Sequence, residues 1–65
     1  MDRVAVDTSD RRVTRARVDN ATACFYPAHN RIVLVADKGD WNAACDALAE
    51  LRAAIDVTYA EEART

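Results

Sequence analysis

One glycine, one proline, one histidine, one serine and two cysteines are all that this 65-residue chain holds of the residues that most often announce a chemistry. With Gly39 alone there is no glycine-rich phosphate loop and no dinucleotide fingerprint. Ser9 has no G-x-S-x-G around it, and His29 has no Cys or Ser beside it in sequence, so the usual nucleophile and base pairs lack their parts. Cys24, Cys45 and His29 are the only soft metal ligands, and none sits in a CxxC or HxxxH spacing, which argues against a structural metal. Two cysteines are too few for a disulfide framework, and no run is long and apolar enough for a membrane span or a leader. These absences lead to the expectation of a cytoplasmic protein with free thiols, no cofactor, no metal, no membrane partner and no catalytic residue.

What is present is apolar periodicity, with 51% hydrophobic and 31% charged residues. Sixty-five residues make one domain, 1–65, with a small core whose stability is marginal unless something reinforces it. The formal charge of −2 is divided unequally. Residues 1–31 carry six Arg against four Asp, whereas 32–65 carry three basic against seven acidic groups. A basic first half facing an acidic second half suits folding of one on the other, and it also offers a candidate anion-binding patch.

In chain order, RVAVD (3–7) and RVTRARV (12–18) alternate apolar and polar residues with a period of two and read as strands. Asp19-Asn20 suits a two-residue hairpin turn, since both residues tolerate the positive φ that a type I′ turn demands. ATACFY (21–26) is the third strand, Pro27-Ala28-His29-Asn30 a turn, and RIVLVA (31–36) the fourth. Apolar on both faces, this last strand should be central, or should meet another chain with its second face.

Asp37-Lys38-Gly39 turns the chain, and Asp40 is placed to cap a helix over about 40–63. Asp37 and Asp40 also resemble a carboxylate pair, but capping accounts for Asp40 and solvation for Asp37. At 100° per residue, Trp41, Ala44, Cys45, Leu48, Leu51, Ile55 and Tyr59 fall in one stripe that should face a core. A strand leading through Gly39-Asp40 into an Ala-rich helix resembles the same passage in HicB-type antitoxins, but the aromatic-Pro-Asp strand motif of that family is missing and no family is assigned.

The fold that follows is α+β, a four-stranded antiparallel sheet with one long C-terminal helix on one face. If the loops hold two and four residues, Val18 pairs with Ala21, Ala16 with Ala23, Thr14 and Ile32 each with Phe25, and Leu34 with Ala23. One face then collects Thr14, Ala16, Val18, Ala23, Phe25, Ile32 and Leu34 for the helix. The other collects Val13, Arg15, Arg17, Thr22, Cys24, Tyr26, Arg31, Val33 and Val35. Cys24 and Cys45 are thereby kept apart. A contiguous apolar patch rimmed by arginine marks an association site, and Arg and Tyr are common at interface hot spots. The candidate interface is Val13, Arg15, Arg17, Tyr26, Arg31, Val33 and Val35, with Tyr59 on the helix end that overhangs the strands.

The expected function is a small non-enzymatic protein-interaction module, a homodimer or the binder of a different protein, acting as a regulator or inhibitor of the size that viruses encode. The alternative is a nucleic-acid-binding regulator, with RRVTRAR (11–17) tracking phosphates and Tyr26 stacking a base. Its weakness is the slightly negative overall charge, where a dedicated binder is usually basic.

Overall fold

The computed structural model describes residues 3–64. Four strands, β1 (Val4–Asp7), β2 (Thr14–Val18), β3 (Ala21–Tyr26) and β4 (Arg31–Ala36), form one antiparallel sheet in sequence order, and a helix, α1 (Trp41–Arg64), follows them. The fold is the α+β arrangement that the periodicities predict. β1 starts one residue later than expected, and β2 two residues later because the turn between them runs on to Val13, whose N–H donates to Asp10 O at 3.3 Å. That turn is built from side chains. Asp7 Oδ1 accepts from Ser9 N and Oγ, and Asp10 Oδ1 accepts from Arg12 N, so two aspartates each fold the chain back two residues on.

The register is the expected one, with Val18 opposite Ala21, Ala16 opposite Ala23, Thr14 and Ile32 opposite Phe25, and Leu34 opposite Ala23. The loop after β3 holds four residues, a 3-10 turn over Pro27–His29 closed by Asn30 at φ 49°. The β2–β3 turn departs from type I′. Only Asp19 takes a positive φ, 50°, and Arg3 fixes it through its carbonyl, which accepts from Asp19 N, and its guanidinium, which donates to Asp19 Oδ2 at 2.9 Å. With Asp19 pinned from β1's side, Asn20 stays at negative φ.

α1 begins where Asp40 Oδ1 accepts from Ala43 N at 3.2 Å, the N-cap expected from sequence. The turn before it holds Lys38 and Gly39 at φ 55° and 72°. The core between helix and sheet is built mainly from alanine. Ala16, Val18, Ala21, Ala23 and Phe25 below meet Ala43, Ala44, Ala47 and Leu51 above.

The buried stripe of the helix is therefore rotated from the expected one. Leu51 and Ala44 keep their inward place, Leu48 and Ile55 pack partly against the core, and Trp41, Cys45 and Tyr59 are exposed. Small side chains on β2 and β3 let the helix sit close to the sheet, and a close contact selects the helix's smallest face, which pushes the bulkier Trp41 and Tyr59 to the side.

A second correction concerns β4. It is an edge strand and not a central one, since each hairpin adds its strand beside the last and β4 comes at the end of the series. Ile32 and Leu34 lie on the helix side in register with Phe25 and Ala23, but the helix runs over β2 and β3 and leaves them exposed.

Candidate functional site

The helix presents two different flanks. Asp46 reaches Arg3 at 4.0 Å beside β1, and Glu50, Ala53 and Val57 border a shallow depression with Val6. That flank faces β1. On a helix of 3.6 residues per turn the opposite flank carries Trp41, Cys45, Leu48, Ile55 and Tyr59, so it faces β4. β4 contributes apolar side chains to both sides of the sheet, Ile32 (45% exposed) and Leu34 (39%) toward the helix, and Val33 (38%) and Val35 (61%) away from it. Trp41 (63%) and Tyr59 (52%) add to this surface. The result is an apolar strip that wraps the outer edge of β4 from one sheet face to the other.

Backbone polarity runs along the same edge. Asp37 N donates to Asn20 O at 3.1 Å, so Asp37 and Asn20 form a hydrogen-bonded pair at the end of the β3–β4 ladder. Such pairs alternate in an antiparallel ladder, which turns the N–H and C=O of Arg31, Val33 and Val35 toward β3 and those of Ile32, Leu34 and Ala36 outward. Natural edge strands are commonly guarded by Lys, Pro, a bulge or shortness, and β4 between Ile32 and Ala36 has none of these.

The sheet face away from the helix holds the other expected site residues. By register Arg15, Arg17, Tyr26, Arg31, Val33 and Val35 share it with Thr22 and Cys24, while Val13 is half-buried one residue ahead of β2. Tyr59 is on the helix and belongs to the flank above β4 and not to this face.

Of the arginines on this face, Arg15 is the one with an acidic neighbour. Arg15 stands opposite both Cys24 and Asp7, and hydrogen bonding to Cys24, with a last contribution from Asp7, holds its guanidinium above the ordinary value. Asp7 is held below the usual carboxylate value first by the Ser9 hydroxyl, then by the Ser9 N–H, and least by Arg15. Cys24 and Cys45 are free thiols, as expected, but Cys45 is exposed where a core position was expected.

A cleft of about 470 Å³ lies at the other end of the molecule, where the last turns of α1 overhang the loops. Phe25, Pro27, Ile55 and Tyr59 line it, and Asp10 and Arg11 stand at its rim. Sequence periodicity did not reveal this cleft, because its walls come from two loops and the helix end, whose approach is a property of the folded chain. Among the described residues no cluster of His, Cys, Asp and Glu could hold a metal ion, and no helix is long and apolar enough to cross a membrane. Comparison with protein-family models, with curated proteins and with solved structures finds no match for the chain.

Proposed function

We propose that this chain is a small non-enzymatic protein-interaction module, a regulator or inhibitor that works through protein–protein contact as a homodimer, in the reducing cytoplasm that two free thiols suit. The observation that carries the reading is β4, an unguarded edge strand with Ile32, Val33, Leu34 and Val35 all exposed. Apolar residues scattered singly on a surface are ordinary, but a contiguous strip of them beside free backbone groups is a template for association.

The shape of the molecule supports the same reading. A compact monomer of this mass exposes about 4,100 Å². This chain exposes 5091 Å², and it is a slab of 41 × 27 × 16 Å. The excess of roughly 1,000 Å² is of the size that one partner buries in a standard interface, about 800 Å².

Sedimentation or light scattering at micromolar concentration should give twice the chain mass of 7.2 kDa. Val33→Asp or Val35→Asp should lower it, by placing an unpaired charge in an apolar contact. A chain that stays monomeric at every accessible concentration overturns the homodimer, and the strip then becomes the contact site for a different protein.

Arg15, Arg17, Arg31 and Tyr26 on one uncovered face favour nucleic acid as a second reading. It is the weaker one, since Asp7 stands opposite Arg15 and the chain's formal charge is −2. Phosphate binding would fall steeply between low and moderate salt, whereas an apolar interface responds little.

A further inference from the structure

We infer that two copies of this chain join β4 to β4 in antiparallel fashion about a two-fold axis through Leu34, so that one sheet runs through both copies and both helices lie on the same face of it. The inference rests on the homodimer reading above and specifies its geometry.

The backbone restricts the choice of register. A hydrogen-bonded antiparallel pair needs two residues whose N–H and C=O both point outward, and on β4 these are Ile32, Leu34 and Ala36. An even-numbered residue can therefore pair only with an even-numbered one. Residues directly opposite each other share a sheet face, so this parity places both helices on one side.

Two registers are then in contention. With the axis at Val33, Ile32 pairs with Leu34 of the second copy, Ala36 has only Asn30 opposite, and Asn30 is in a left-handed turn at φ 49° that leaves the ladder. With the axis at Leu34, Leu34 pairs with itself and Ile32 with Ala36, and every outward group of the strand is satisfied.

Charge selects the same register. An axis at Leu34 sets Arg31 opposite Asp37 of the second copy, twice over, and Val33 opposite Val35 between them. Among the described residues, neither the Arg31 nor the Asp37 side chain has a partner within its own chain. Opposite charges and β-branched residues are both favourable when directly opposed across strands. On the helix side, Ile32, Leu34 and the Trp41, Leu48 and Ile55 flank of each copy would border a shared apolar trough over the axis.

The test is a charge exchange read by analytical ultracentrifugation, together with amide hydrogen exchange of the intact chain at high and low concentration. Arg31→Asp and Asp37→Arg should each weaken the dimer by about tenfold or more, since each brings like charges together at two symmetric places. The double variant R31D/D37R should return to within about threefold of the parent, because the exchange restores both pairs. The amides of Ile32, Leu34 and Ala36 should gain protection as the chain dimerises. A dimer that ignores all three variants and leaves these amides unprotected overturns this geometry while the homodimer stands. A chain that never dimerises overturns both.

Discussion

Leu51 is the largest fully buried side chain in a core otherwise dominated by alanine, so it supplies much of the apolar area that holds helix to sheet. Leu51→Ala is expected to cost about 2–5 kcal/mol, a large part of what so small a domain has to lose. Leu48→Ala, at a half-buried position on the β4 flank, should cost clearly less, and thermal melts of the two variants at one concentration compare them. Hydropathy periodicity points equally to Trp41, Cys45 and Leu51, yet only Leu51 is buried. Periodicity weighs how apolar a side chain is, whereas the distance between helix and sheet is set by the small residues Ala16, Ala21 and Ala23, and their size is a property of the other element. Acid sensitivity is also decided residue by residue. Asp7, Asp10 and Asp19 are held below their ordinary value of 3.8, first by hydrogen bonds from Ser9, Arg12 and Arg3 respectively. A carboxyl lowered by folding contributes stability above its unfolded pKa and loses it as pH falls through the folded one. The melting midpoint should therefore stay level from neutral pH to about 5 on account of these groups and fall below about 4.

At the scale of the element, the passage from β4 into α1 depends on a side-chain cap and a left-handed backbone turn. Asp40→Ala removes the acceptor for Ala43 N and should cost about 1 kcal/mol. Gly39→Ala should cost a similar amount for a different reason, since its φ of 72° is disfavoured for any residue with a Cβ by about 1–2 kcal/mol. The nearest atom to that Cβ would be Trp41 Nε1 at 3.8 Å, an ordinary contact, so the penalty is conformational and not steric. Denaturant titration of both variants checks the pair. Strands and register were legible in the sequence because tight turns of two and four residues fix parity, and parity fixes which side chains share a face. The place of β4 was not. Being apolar on both sides, RIVLVA reads as a central strand, but a series of hairpins leaves its last strand at the edge whatever its hydropathy. The proposed homodimer instead gives β4 another chain at its open edge, and its second face, with Val33 and Val35, stays uncovered.

At the scale of the whole molecule, a single helix covers a single face of a thin sheet, so the proposed homodimer would couple stability to self-association. Any partner that binds only the folded chain raises the melting temperature, by an amount that grows with the logarithm of its concentration above Kd. The midpoint should rise on going from about 5 to about 500 μM chain, and Val35→Asp should remove that dependence. A midpoint independent of concentration would speak against the homodimer. The unequal lengths of the two outer strands have a consequence for how far such an assembly can grow. β1 has four residues against six in β4, and the β1–β2 ladder, anchored by Asp19 N to Arg3 O, leaves only Val4 and Val6 with outward backbone groups in that strand. With two outward residues against three in β4, β1 is the shorter template, and short edge strands are poor ones for another chain. Joining two copies through β4 would bury the long edge of each and leave a short one at either end. Growth then terminates at the pair instead of continuing as a filament, even though every copy carries two open edges.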